Sequence, residues 1–455
     1  MVIETTPVTI WHESKPQDEF LDERFGKLFD MSNVALVELA LSVRSKHSTD
    51  NTQATAKVIE HWIGTYNLIH IVEFSDGLKY VVRVPASARH GTMTEAAQRA
   101  LITQAHMMRF VKKRTMIPMP NVFDFDAGFD NIIQAPYIVM SYIPGRMVAE
   151  AWFDRTGPVP LEEKRLRILN DVAEAVAQLR GFQFDQIGFI EGDEAATAPG
   201  GARGRGGHQP IPMGPCFGWE ENYLQDTTHI FHIEQCGPFT SSAAYLRNRL
   251  QRTTQWVEGI PDRGCRVLLD LMIDCLPRST RRHSEPRESF VLSIPDLSAK
   301  NVLVDEQGRV TGFVDWDDVH TMPRFLGYAG FPGWIITYLN PQHILYAPEE
   351  HDQEEDSPEL LKQYRRLYNR KMQTLLRGSR DARFVHKSHY YQAVHSAICT
   401  QRGRLHLVSN LVAKAFPTDL GMAMDLILLA GQGKLSTDDK DQLTHGFQML
   451  FAVSG

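Results

Sequence analysis

Paired cysteines are missing. The five thiols, Cys216, Cys236, Cys265, Cys275 and Cys399, include no CxxC spacing. That suggests neither a zinc ribbon nor a disulfide framework, and leaves the thiols reading as reduced, partly buried side chains of an intracellular protein. No run of about 18 apolar residues occurs, so no spanning helix and no membrane partner are expected. The opening residues MVIETTPVTIWHESKPQDEF lack a basic segment followed by an apolar one, and the expected location is the cytoplasm. A basic excess is missing as well. Lysine and arginine number 48 against 55 aspartates and glutamates, a net charge of −7, which argues against a nucleic-acid partner. There is no internal repeat and no heptad pattern, so the oligomeric state is unknown at this stage. The glycine-rich stretch APGGARGRGGHQP lacks both the GxxxxGK[ST] spacing and the strand–loop–helix setting of a phosphate cradle; it reads as a surface loop.

What is present suits an ordinary globular chain of two lobes: 455 residues, of which 43% are hydrophobic and 23% charged. Residues 17–62 read as helical, with Phe25, Leu28, Phe29, Val34, Leu36, Leu39 and Leu41 at helical spacings. The character changes at Gly64. Leu68 to Phe74 and Tyr80 to Val84 are β-rich runs joined by Ser75-Asp76-Gly77, which predicts a hairpin. A helix from about Thr92 to Arg114 is closed by Pro118 and Pro120. Two strands follow, Val122 to Ala127 and Tyr137 to Tyr142, and Pro144-Gly145 marks the exit. Leu161 to Leu179 is an amphipathic helix, and the final hundred or so residues read as mostly helical. The acidic run 348–359 reads as a solvated loop. The expectation is an α+β chain with a helical extension (1–60), a small β-rich lobe (61–143) and a larger helical lobe (144–455).

Chemistry concentrates between residues 293 and 317, within the stretch FVLSIPDLSAKNVLVDEQGRVTGFVDW. An apolar strand leads to Asp296, and Asn301 follows five residues later. After the strand Val302 to Val304 and a turn at Asp305-Glu306-Gln307-Gly308, a second strand delivers Asp315. Three oxygen-bearing side chains thus gather at one end of a hairpin. Phosphoryl transfer needs such a set: one carboxylate to orient the attacking hydroxyl, and an Asn and a second carboxylate to hold Mg²⁺ against a triphosphate. Alone, D-x-x-x-x-N also fits a loop whose Asp and Asn bond their own backbone. The stretch after Asp315 has no DFG-type glycine and no A-P-E, which argues against a protein kinase.

These residues resemble the aminoglycoside phosphotransferase and choline-kinase-like family, and more narrowly its fungal phosphotransferase branch. The likeness is carried by Gly64-Thr65-Tyr66-Asn67, Asp76-Gly77, Arg83-Val84-Pro85, the TMIPMP run 115–120, PYIVMSYIPG at 136–145, the Asp296–Asp315 segment, and Pro323-Arg324-Phe325-Leu326-Gly327-Tyr328. The resemblance implies a bilobal, protein-kinase-like fold and an ATP- and Mg²⁺-dependent phosphotransferase acting on a hydroxylated small molecule. It implies Asp296 as catalytic base, and Asn301 and Asp315 as Mg²⁺ ligands. Gly64, Thr65, Tyr66 and Asn67 would lie over the phosphates. Ser141 and Ile143 would offer backbone groups to adenine. Arg83 takes the place of the phosphate-contacting lysine, Gln104 that of its glutamate partner (with Glu95 as the substitute in another helix register), and Ile294 that of the histidine before the catalytic aspartate. Asp317 fits either a supporting role at the metal or a plain surface position. These departures leave a nucleotide-binding pseudokinase, or a repurposed scaffold, as the alternative.

Overall fold

The computed structural model describes residues 9–11, 24–47, 54–191, 211–219, 233–253, 259–280, 287–294, 296–337, 356–401, 403–416 and 419–453. Its small lobe is an antiparallel sheet of β1 (Thr9–Trp11), β2 (Ala56–Ile63), β3 (Asn67–Phe74), β4 (Lys79–Pro85), β5 (Val122–Asp126) and β6 (Tyr137–Ser141). The spatial order is β1-β2-β3-β4-β6-β5. The expected Asp-Gly hairpin joins β3 to β4, with Gly77 at φ 84° where a side chain would be strained. Two helices complete the lobe, α1 (Asn33–His47) and α2 (Glu95–Arg114). Thr94 caps α2 by accepting the Ala97 N–H at 3.2 Å. Leu36, Leu39, Ala40 and Val43 of α1 close a core with Leu68, Val72 and Val82 of the sheet.

The helical reading of 17–62 holds over α1 and fails over β2. Val58, Ile59, Trp62 and Ile63 are β-branched or aromatic, and β2 is paired by β1 on one edge and β3 on the other. Sheet pairing overrides the mixed helical spacing, and the small lobe therefore draws strands from the segment read as an extension. Residues 1–8, 12–23 and 48–53 of that segment lie outside the described residues.

The connection to the large lobe docks on the hairpin of residues 302–313. Gly145 adopts φ 145°, and a Cβ there would stand 2.5 Å from Thr311 Oγ1 and 3.0 Å from the Val304 carbonyl. Only glycine lets the backbone pass so close. The chain continues through β7 (Arg146–Met147), α3 (Val148–Ala151) and α4 (Leu161–Ala177). Two short ribbons follow, from β8 (Phe189–Ile190) with β9 (Met213–Gly214) and β10 (Cys216–Trp219) with β11 (Ile233–Cys236). Helices α5 (Ser242–Arg252) and α6 (Ile260–Cys275) precede β12 (Phe290–Ser293), β13 (Val302–Val304), β14 (Val310–Phe313) and β15 (His320–Pro323). The rest is α7 (Pro358–Leu375), α8 (Ala382–Val385), α9 (Ser388–Cys399), α10 (Arg404–Ala415), α11 (Leu420–Gly431) and α12 (Thr437–Phe451). Helices α6 and α11 touch backbone to backbone: a Cβ on Gly264 would fall 1.9 Å from the Ile427 carbonyl oxygen. Among the described residues no helix is long and apolar enough to cross a membrane.

The glycine-rich insertion falls within 192–210 and the acidic run within 348–355, outside the described residues. Where the acidic run emerges at Asp356 it is not solvated. The Asp356 side chain is nearly inaccessible, pairs with Arg165 at 3.0 Å and accepts the Trp152 indole N–H at 2.7 Å. Arg165 is tied on to the Tyr364 hydroxyl at 3.1 Å, so α4 and α7 share one polar network.

Three buried histidines make this packing acid-sensitive. Burial, with His61 beside it, lowers His70 to about 3; burial also lowers His389 to about 3 and His320 to about 4. The His61 and His70 Nδ1 atoms are 2.7 Å apart, so one must donate and the other accept. The unfolded chain protonates these rings near pH 6.5, the folded one only near pH 3–4. Between those limits the unfolded state holds more protons, so their stabilisation is present above pH 6.5 and is lost as pH falls. Thermal unfolding is expected at lower temperature at pH 5 than at pH 7.5, and His389→Asn should flatten that slope.

Candidate active site

Strand β12 carries the chain to Asp296, and the β13–β14 hairpin follows it. Asn301 Nδ2 donates to Asp296 Oδ2 at 2.8 Å and to the Asp296 carbonyl at 3.1 Å. The Asn301 carbonyl accepts the Val314 N–H at 2.9 Å, which stitches the loop to the strand end that delivers Asp315. Asp315 sits at φ 60°, a left-handed conformation uncommon outside glycine. Next to it Trp316 is buried and donates its indole N–H to the Phe313 carbonyl at 2.8 Å. The three side chains expected together are thus brought together. Two bonds hold the loop from below: Ser293 Oγ to the Leu326 carbonyl at 2.8 Å, and Gly333 N–H to the Leu297 carbonyl at 2.9 Å. Ile294, which takes the histidine position, packs against the large-lobe core through an apolar contact.

The small lobe answers from across the cleft. Gly64 to Asn67 form a tight turn between β2 and β3, closed by Gly64 N–H to the Asn67 carbonyl at 2.9 Å, with Thr65 and Tyr66 at its tip. The Tyr66 carbonyl accepts the Ala86 N–H at 2.8 Å. Arg83 on β4 and Gln104 on α2 are both buried. They meet at a third residue: Arg83 Nη1 and Gln104 Nε2 both donate to Asp317 Oδ1, and Asn67 Nδ2 donates to Asp317 Oδ2 at 3.1 Å. The carboxylate that α2 fails to supply therefore comes from the large lobe. Asp317 is neither a plain surface residue nor separate from the site. Glu95 stays in the exposed first turn of α2, nine residues and about 14 Å along the helix from Gln104.

On the hinge side, the Ser141 N–H bonds the Asn121 carbonyl at 3.0 Å, and the Ser141 hydroxyl accepts the Asn121 N–H at 2.9 Å. The Ile143 side chain lies against Gly312 of β14, which fixes this connection over the β13–β14 hairpin.

Four aspartates, 296, 315, 317 and 318, crowd this region. Asp318 lines the cleft and Asp315 lies on the same short segment; protein surrounds both on most sides. That surround, and then the Asp317 carboxylate, push Asp315 well above the usual carboxylate range; the same causes lift Asp318 to about 7. Lys300 lies by Asp296: burial lowers its ammonium and the Asp296 carboxylate partly restores it. Negative charge crowds around the oxygen-bearing side chains of Asn301 and Asp315, while among the described residues no group of three or more histidine, cysteine or carboxylate side chains is placed to hold a metal ion by itself. Asn67, Arg83, Gln104, Asp317, Phe189 and Phe217 contribute to a cleft of about 580 Å³, its open mouth included. The sequence reading left Asp317 between a supporting role at the metal and a plain surface position, and did not foresee that it receives Arg83 and Gln104. The available signal was Arg83, a cation on a strand facing a helix without a matching carboxylate.

The family model described as the phosphotransferase enzyme family matches residues 63–326, more than half of the chain. The chain belongs to that family. All the site residues above, from Gly64 to Asp318, fall inside the matched span. Among curated proteins, this phosphotransferase-family chain is 22% identical over 355 residues to the altered inheritance of mitochondria protein 9, mitochondrial, of Lachancea thermotolerans, covering 70% of this chain and 55% of that one. It is 20% identical over 317 residues to a subtelomeric hrmA-associated cluster protein of Aspergillus fumigatus, covering 60% and 59% respectively. The chain thus spans less than two thirds of the length of either relative. Among solved structures it is similar to the aminoglycoside phosphotransferase APH(4)-Ia at 14% identity and a TM-score of 0.43, covering 87% of this chain and 99% of that one.

Proposed function

We propose that this protein transfers the terminal phosphoryl group of ATP to a hydroxyl of a small molecule. The observation that supports the reading most is the Asp296–Asn301 contact, built into the hairpin that presents Asp315. ATP supplies the phosphoryl group, and Mg²⁺ offsets its charge. Asp296 is exposed to solvent; in this reading it orients the acceptor hydroxyl and takes up its proton. Asn301 and Asp315 hold Mg²⁺. The turn Gly64 to Asn67 covers the phosphates, Arg83 contacts them, and Gln104 keeps Arg83 placed through their shared partner Asp317. Ser141 and Ile143 offer backbone groups to the base. The compartment we propose is the cytoplasm, with the mitochondrion in the Lachancea protein's name as the rival that cell fractionation would separate.

A second reading rests on the same carboxylate. Asp317 already engages Arg83, Gln104 and Asn67, the small-lobe donors that phosphates would need. A pseudokinase that binds nucleotide without turnover fits that arrangement and the Ile294 replacement. A thermal-shift titration with ATP, with and without Mg²⁺, tests both. Binding at 100-fold over the dissociation constant should stabilise the folded state by about 2.7 kcal/mol. We expect a Mg²⁺-dependent rise in melting temperature that Asp315→Ala abolishes. Absence of any shift at millimolar Mg·ATP would sink both readings. A shift without ATP consumption, across a screen of hydroxylated acceptors, would favour the pseudokinase.

A further inference from the structure

The β10–β11 ribbon places two thiols face to face. Cys216 and Cys236 are direct partners in its antiparallel ladder. Directly opposed residues in such a ladder have Cα atoms about 4.5–5.5 Å apart, inside the range of about 4.4–6.8 Å that a disulfide spans. Both are free thiols; Cys216 is buried and Cys236 half-buried, within reach of a small reagent. Cys216 first, and then the cationic Arg252 and Arg249, favour the thiolate at Cys236, while Cys236 and burial keep Cys216 protonated. A reachable sulfur with thiolate character, backed by a second thiol directly across the ladder, is the arrangement in which one cysteine reacts and the other resolves. The third thiol of this neighbourhood, Cys399, is on α9, with its Sγ 3.3 Å from His395 Nε2. It has no cross-strand partner.

We propose that Cys216 and Cys236 are a reversible redox pair, closing to a cross-strand disulfide when the protein meets a peroxide. The Cys236 sulfur attacks one peroxide oxygen, the O–O bond breaks, and hydroxide leaves, giving a sulfenic acid. The Cys216 sulfur then attacks that sulfur, the S–O bond breaks, and a second hydroxide departs with the Cys216 proton as water. In total two thiols are oxidised and one peroxide is reduced to two waters, the first hydroxide taking a proton from solvent. A dithiol reductant reverses the bond by exchange.

The position gives the bond a consequence at the site. Phe217, Gly218 and Ile233 of the ribbon wall the cleft that Arg83, Gln104 and Asp317 also line. The neighbour of Cys236, Gln235, accepts from Arg99 of α2 at 3.2 Å. The crosslink pins the two strand ends together beside the helix that carries Gln104.

The test uses the full chain, treated with hydrogen peroxide or with a dithiol reductant, then denatured, alkylated and mapped by mass spectrometry. Oxidised protein should lose two of its five alkylatable thiols and yield a linked peptide joining Cys216 to Cys236. The link should disappear with reductant, be lost in Cys216→Ser and Cys236→Ser, and persist in Cys399→Ser. If the Ser variants fold poorly, the map of the unsubstituted protein decides by itself. Five thiols retained after peroxide, or a link from either cysteine to Cys399, would overturn the proposal. Because the readout is a covalent bond and not turnover, its failure is separate from failure of the phosphotransferase reading.

Discussion

Asp381→Ala should destabilise the protein by about 3–5 kcal/mol, the cost of leaving a buried cation without its partner. Asp381 and Arg324 are both nearly inaccessible, at 4% and 3% side-chain exposure, and pair at 2.6 Å. The Tyr328 hydroxyl donates to the other carboxylate oxygen at 2.8 Å. Arg324 also donates through Nε to Ser289 Oγ at 2.9 Å, next to the start of β12. Removing the carboxylate leaves a guanidinium and a phenol buried together, and water has no ready route to either. Asp381→Asn retains an acceptor and should lose less. Chemical denaturation of both variants decides the matter: a change under about 1 kcal/mol in the alanine variant would mean the network relaxes around the loss. The same contacts explain the run Pro323 to Tyr328. Its arginine and tyrosine are one residue's two anchors, and they hold the segment that follows the catalytic hairpin against the α8 region.

Asp296→Asn is expected to reduce turnover by about 10²–10⁴-fold, the range over which a positioned acid or base contributes. The exchange preserves shape and leaves the Asn301 contact with an oxygen to accept it, while the proton-accepting charge is gone. Melting temperature and the Mg·ATP shift should stay close to those of the unsubstituted protein, since Asp296 is exposed. Full turnover in Asp296→Asn would remove it as the base, and a lost nucleotide shift would give it a binding role instead. Measuring both quantities on one preparation separates chemistry from binding.

Local chemistry was the legible part. The β3–β4 hairpin announces itself through Asp76-Gly77, the end of α2 through the prolines after Arg114, and the β13–β14 hairpin through the turn at Gly308, which sits at φ 76°. In each, the residues that decide the conformation lie within a few positions of one another. β2 was misread because alternation in a short, mixed apolar run does not distinguish a strand from a helix until its partners are known. Its neighbours β1 and β3 supply those partners.

By itself the sequence determined the two-lobed α+β plan and the grouping of Asp296, Asn301 and Asp315, because strand, turn and loop propensities bring them together over twenty residues. The tertiary structure alone decided which carboxylate receives Arg83: Asp317, 234 positions away, and not a residue of α2. It alone brought Cys216 opposite Cys236, Asp356 to Arg165 and Asp381 to Arg324. A buried charge takes whichever partner the docked elements place within a few ångströms, and that distance depends on packing between segments far apart in the chain.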